Sequence, residues 1–118
     1  MGQKQNMGSV NISEEVIATI AGAAAIECCG LVGMSSMKLK DGLAQLLGKE
    51  DLKKGVQVSI EGEEVVLDLF IVVGYGVNIA EVARNVIERV QYNIENQTGL
   101  KVKNININVQ GIKVTNEV

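Results

Sequence analysis

At 118 residues, 47% of them hydrophobic, with a formal net charge of -3 and no histidine, the chain is sized for one domain with a substantial core. The missing histidine removes the commonest general base, the His-containing serine and cysteine triads and most zinc sites, and the acidic balance lacks the basic stripe of a nucleic-acid binder. With only 3% aromatic residues (Phe70, Tyr75 and Tyr92), no proline and 13 glycines, the core must be aliphatic and the turns must be made by glycine.

Residues 1–7 read as a disordered polar tail without the apolar stretch of a signal peptide, ahead of a single domain over 8–118. Gly8–Ile12 alternates as a short strand would. Ser13 is a good N-cap, followed by Glu14 and Glu15 at the positive end of a helix dipole, with Ile12 and Ile17 placed as a hydrophobic staple. The helix runs to about Cys28, with Val16, Ile17, Ile20, Ala21, Ala24 and Cys28 on one face. Its alanines and Gly22 keep that face thin, and Gly30 ends it. Adjacent Cys28 and Cys29 read as reduced thiols, because a bridge between neighbours strains the peptide and closes no useful loop; reduced thiols fit a cytoplasm-like compartment.

Leu31–Met37 is either a strand with a glycine bend or a loop. Asp41–Gly48 reads as a short helix with Leu43, Leu46 and Leu47 inward, and Lys49–Gly55 as a charged turn. Val56, Val58 and Ile60 then alternate with polar residues, turn at Glu61-Gly62-Glu63 and return along Glu64–Val73, which predicts a hairpin. The returning strand is apolar on both faces: Val65, Leu67, Leu69, Ile71 and Val73 on one, Val66, Phe70 and Val72 on the other, interrupted by Asp68.

Asn78 and Glu81 form a capping-box variant, with Val77 and Val82 as the staple. Ile79, Val82, Ala83, Val86, Ile87, Val90 and Ile94 make a continuous helical stripe, Arg84 and Glu88 are spaced for an ion pair, and Gly99 stops the helix so that Leu100 folds back. A last strand carries Ile105, Ile107 and Val109 inward and Asn104, Asn106 and Asn108 outward, with Gly111 shifting the phase before Ile112 and Val114. The whole predicts an α+β fold, one small mixed sheet of about 4 strands with two long helices packed mainly on one face. The longest apolar runs, Ile17–Ile26 and Val65–Val73, fall short of the roughly 20 residues needed to span a bilayer.

Two cysteines cannot supply four metal ligands, and neither a G-x-x-x-x-G-K-[ST] phosphate loop nor a G-x-G-x-x-G fingerprint is present. No catalytic, metal-binding or cofactor-binding residues and no cofactor are expected. Asp68, the one carboxylate inside an apolar strand, is read as outward-facing or at an interface. Gly30-Leu31-Val32-Gly33 has the GxxG spacing of a KH-type nucleic-acid clamp, but its neighbours are Cys29 and Met34 rather than Lys or Arg. A nucleic-acid module using that loop is one alternative reading, and a lipid or ligand carrier, which needs a concave apolar pocket, is another.

The strongest surface signal is the sheet face away from the helices. It should display Val66, Asp68, Phe70 and Val72, joined by Val56, Val58 or Ile60 if the hairpin register permits. A contiguous apolar patch of this kind rarely stays bare. It should meet a second copy, a partner, or the Leu43–Leu47 helix.

Taken in order, Gly8-Ser9-Val10-Asn11-Ile12-Ser13-Glu14-Glu15-Val16-Ile17, Cys29-Gly30-Leu31-Val32-Gly33-Met34, Val73-Gly74-Tyr75-Gly76, Ile79-Ala80-Glu81-Val82-Ala83, Thr98-Gly99-Leu100 and Val109-Gln110-Gly111-Ile112 resemble the alkaline-shock-protein (Gls-type envelope stress response) family. Asp41-Gly42-Leu43 and the Gly-x-x-Gly-Met stretch are similar to its short single-domain branch in Gram-positive bacteria, often encoded beside a dihydroxyacetone-kinase-like fatty-acid kinase. The resemblance implies a cytoplasmic, non-enzymatic protein of envelope stress or lipid homeostasis that self-associates as a homo-oligomer. It implies protein partners such as a membrane-anchor protein or a fatty-acid-metabolism enzyme, and membrane association only through them. The candidate interaction surface comprises Gly30, Leu31, Gly33, Met34, Val66, Asp68, Phe70, Val72 and Tyr75.

Overall fold

A computed structural model describes residues 8–36 and 49–114; the tail expected at 1–7 and the helix expected at 41–48 lie outside the described residues. In chain order the elements are α1 (Glu14–Ile26), β1 (Leu31–Met34), a 3-10 segment (Lys49–Gly55), β2 (Val56–Glu61), β3 (Glu64–Gly74), α2 (Ile79–Thr98) and β4 (Lys101–Lys113). Gly8–Ile12 forms no strand. Its only anchored apolar side chain is Ile12, which packs against the core below the α1 cap.

β3 is the centre of a mixed sheet. Parallel β4 runs along one edge from Glu64 to Gly74, joined by the α2 crossover that parallel neighbours require. The other edge is shared end to end: β2 pairs antiparallel with Glu64–Leu69 and β1 with Ile71–Val73. The β2–β3 turn is tighter than the sequence reading, because Glu61 already pairs with Glu64 and leaves only Gly62 and Glu63 in the loop. Gly62 takes φ +67°, the backbone such two-residue turns demand.

That turn fixes the register and corrects one expectation. Val56, Val58 and Ile60 pair with Leu69, Leu67 and Val65, and residues directly opposite in a sheet share a face. All three therefore lie under the helices, and the open face receives Gln57 and Ser59 instead. Under α1 and α2, Val65, Leu67, Leu69, Ile71 and Val73 are fully buried with Ile17, Ala21, Val86, Val90 and Ile94.

The helices begin and end where their caps dictate. Val16 N–H donates to Ser13 Oγ at 3.2 Å and Glu81 N–H to Asn78 Oδ1 at 3.1 Å, satisfying donors that the first turn leaves free. Gly99 stops α2 at φ +79°, its N–H bonded to the Glu95 carbonyl. Arg84 and Glu88 do not pair among the described residues. Arg89 instead reaches Glu27 at 2.8 Å and ties α2 to the end of α1. α1 is thin by necessity: a Cβ on Gly22 would stand 3.2 Å from Leu52 Cβ.

Gly30 is the tightest point. Its φ is +90°, and a Cβ there would lie 2.6 Å from Val82 Cγ2. Gly30→Ala is expected to cost about 2–4 kcal/mol, combining left-handed strain with overpacking. Gly62→Ala, with a positive φ and nothing within 4 Å, should cost only about 1 kcal/mol. Urea unfolding of both variants measures the difference, and equal losses would contradict the close approach to Val82.

A carboxylate fastens β4 to the helix before it. Val102 N–H donates to Glu95 Oε2 at 2.9 Å, and this bond holds the Glu95 carboxyl below its ordinary value of 4.5. Because the folded value is lowered, the stabilisation is fully present above the unfolded pKa and disappears as pH falls through the folded one. Glu95→Gln should therefore lose stability relative to wild type near neutral pH, and the gap should close as acid protonates the Glu95 carboxyl, below its ordinary value of 4.5. Thermal melts across that range check the convergence.

Candidate functional site

The face away from the helices is a three-row surface. β3 contributes Val66, Asp68, Phe70 and Val72, all half-buried. Gln57 and Ser59 of β2 lie opposite Asp68 and Val66; Asn104, Asn106 and Asn108 of β4 lie opposite Val66, Asp68 and Phe70. Asn104 Nδ2 donates to Asn106 Oδ1 at 3.4 Å, and Asn108 Nδ2 to the Leu69 carbonyl at 3.3 Å. Lys103 reaches across the end of the sheet to Glu61 at 3.8 Å. The result is a narrow apolar strip framed by side-chain amides, with no described helix packed over it.

This arrangement is suited to contact rather than to proton transfer. Asp68 lies across the strands from the amide-bearing Gln57 and Asn106. Among the described residues no group of three or more Cys, Asp and Glu converges as metal ligands would.

The Gly30–Met34 stretch behaves differently from the exposed loop that its GxxG spacing suggested. Leu31–Met34 is a strand paired with β3, with Gly33 opposite Val72 and Met34 opposite Ile71. A backbone clamp needs free loop amides, and these residues are in the ladder. Met34 is completely buried, so it belongs to the core and not to a contact surface, and Leu31 points the same way beside Val73. Gly30 accepts a hydrogen bond from Gly74 N–H at 3.0 Å and serves packing. Tyr75, 73% exposed, sits past the end of β3 with its N–H on the Lys113 carbonyl. Of the nine candidates, Gly33, Val66, Asp68, Phe70 and Val72 share one face. The polar rows beside them, Gln57, Ser59 and the three asparagines, were not singled out, although the N-I-N-I-N alternation carried the signal.

Two open grooves flank this architecture. One, of about 550 Å³, runs beside β2 and is lined by Glu14, Glu15, Lys53, Lys54, Gln57, Ser59 and Asp68 among others. Lys53 meets Glu15 there at 2.8 Å and holds the Glu15 carboxyl below its usual range by hydrogen bond and charge. A charged, open trough is not the enclosed apolar chamber that a lipid carrier requires.

The second, of about 380 Å³, lies between Glu27, Cys28 and Cys29 and the α2 residues Asn85, Arg89 and Tyr92. The two thiols differ sharply. Cys28 is buried with its Sγ 3.8 Å from the Ala24 carbonyl, and burial raises its pKa, whereas Cys29 is exposed. Brief iodoacetamide treatment of the folded protein should modify Cys29 and leave Cys28 untouched, because only an accessible thiolate reacts. Mass spectrometry of wild type and a Cys29→Ser variant reads this directly; comparable labelling of both thiols would contradict the burial.

The alkaline shock protein 23 family model, described by a cell envelope-related function, matches residues 2–114. The chain is 50% identical over 110 residues to YloU of Bacillus subtilis, covering 92% of each protein. It is 28% identical over 109 residues to a stress response regulator gls24 homolog of Streptococcus pyogenes, covering 90% of this chain and 59% of that one. Among solved structures, a MamM-CTD variant superposes with a TM-score of 0.50 at 12% identity, covering 88% of this chain and all of that one; at that identity the likeness shows the fold alone.

Proposed function

The chain belongs to the alkaline shock protein 23 family, whose function is cell envelope-related, and from that premise we propose that it is a non-enzymatic cytoplasmic scaffold or regulatory module acting through protein–protein contacts and self-association. The observation that carries this reading is the amide-framed strip of Val66, Phe70 and Val72 on a sheet face that no described helix covers. Half-buried apolar side chains gain free energy by further burial, while the flanking amides supply hydrogen bonds that fix orientation.

Membrane attachment, in this reading, is indirect. No helix among the described residues is long and apolar enough to cross a bilayer, and the partner is a protein, either a membrane-anchor protein or an enzyme of fatty-acid metabolism. The description of the gls24 homolog as a stress response regulator supports a regulatory over a purely structural part.

Light scattering after size-exclusion chromatography tests the self-association. The wild type should form a defined oligomer at micromolar concentration, and Phe70→Glu should weaken it at least about tenfold by placing a charge in the strip. A wild type that stays monomeric at high concentration removes this reading.

A further inference from the structure

β4 spans Lys101–Lys113, the longest strand of the sheet, and among the described residues it is paired only on its β3 side. A bare strand edge is a row of unsatisfied N–H and C=O groups, which native proteins blunt with bulges, charges or proline. β4 has such devices at its ends only. Its pairing with β3 slips between Val65 and Val66 and again between Ile71 and Val72, leaving Lys103 and Gln110 as the extra, bulged residues. Lys103, the one lysine close to the centre, turns back over the sheet to Glu61 instead of standing over the edge.

Between the bulges lies Asn104–Val109, six residues in regular register with β3 and without a charge. Their alternation is strict: Ile105, Ile107 and Val109 on the helix side, the three asparagines on the other. The apolar row is incompletely covered toward the edge. Ile107 is half-buried, Val109 is 37% exposed and, past the second bulge, Ile112 is 53% exposed. Above it, half-buried Ala83 and Ile87 occupy the flank of α2 opposite Asn85, Arg89 and Tyr92, the residues that border α1.

We propose that the Ile105–Val109 stretch of this edge pairs antiparallel with the same stretch of a second copy, about a two-fold axis at Ile107. Residues directly opposite in an antiparallel pair share a face. With Ile107 opposite Ile107, Ile105 meets Val109 on the helix side and Asn106 meets Asn108 on the other, so the segment is complementary to itself in both rows. A one-residue slip would set isoleucine against asparagine, and a shift of the axis to Asn106 would set the bulged Lys103 opposite Val109. The lysines at 101 and 113 fall opposite each other beyond the bulges and confine the regular pairing to Ile105–Val109, with Asn104 facing the bulged Gln110. This rests on the self-association proposed above and adds to the Phe70 face a second, distinct contact, so that Phe70→Glu should reduce assembly beyond the edge-paired dimer and leave that dimer in place.

Hydrogen exchange read over peptides containing 104–109 tests the pairing without a mutation. About half of these amides should exchange freely in dilute protein, because a strand bonded on one edge commits only alternate groups, and should become protected as concentration rises. Ile107→Lys and Ile107→Glu, each checked for folding by circular dichroism, should separately weaken the dimer about tenfold, because like charges then meet on the axis. Mixing the two variants should restore association. Val109→Lys, at a more exposed position, should weaken it as well.

A wild type that remains monomeric overturns the self-association reading and the pairing together. A wild type that associates without concentration-dependent protection of 104–109, or variants that fail to complement each other, overturns the edge pairing alone and leaves the Phe70 face as the contact.

Discussion

Everything in this molecule is arranged around β3, a strand hydrogen-bonded on both edges and apolar on both faces. Its two rows have unequal fates. Val65, Leu67, Leu69, Ile71 and Val73 are sealed beneath two helices, while Val66, Phe70 and Val72 remain half-buried among amides. A strand of this composition ordinarily sits in a sheet covered on both sides. Here one cover is in place, and among the described residues no layer packs over the other face, which keeps the character of a core strand. Both the fold and its capacity for contact follow from that asymmetry.

The helix layer explains how the inner row of β3 is sealed. Two helices must roof a sheet that is narrow at each level, since β1 and β2 take turns along one edge of β3. α1 meets this by being thin: Ala18, Ala21, Gly22, Ala24 and Ala25 are buried, and Gly22 lets Leu52 approach. α2 is the opposite type, held by the branched row Val82, Val86, Val90 and Ile94. Its connections into the sheet are tight at both ends, Gly30 against Val82 at one and Glu95 on the Val102 amide at the other. The ion pairs contribute little beside this, since those among the described residues are more than a third exposed on both sides and such pairs are worth at most about 1 kcal/mol.

Local chemistry was the part legible in the sequence. α2 could be read from its period, its Asn78 cap and its Gly99 stop, and β4 from its alternation and the phase shift that became a bulge near Gly111. The division of β3 into a buried and an open row was also legible, because Asp68 marks one side. What escaped was whatever depends on distant partners. The GxxG of Gly30–Gly33 has the same spacing in a loop and in a bulged strand, and only β3 alongside it decides. Burial of Met34 follows from that pairing and from nothing within its own segment. The side taken by Val56, Val58 and Ile60 hung on one residue of turn length: a two-residue Gly62-Glu63 turn sends them under the helices, and a three-residue turn sends them out. Arg89 was available to Glu27 only once the helices packed, whereas Arg84 and Glu88 had only their spacing to recommend them.

Face and edge are connected in a way that bears on how such a domain could serve as a scaffold. A two-fold axis perpendicular to the sheet, as antiparallel edge pairing requires, keeps the helices of both copies on one side and the open faces of both on the other. The amide rows of β4 then meet at the centre, and the two Phe70 strips lie on either side of them in one continuous surface. The paired edge closes on itself, because an isologous contact uses the same patch twice, and it leaves the strips free for a further partner. A single copy offers one narrow strip. Two copies offer a pair of strips at a fixed spacing, and a partner that engages both binds the second as an intramolecular step. Edge pairing would in that case raise the affinity of the face without adding a contact to it.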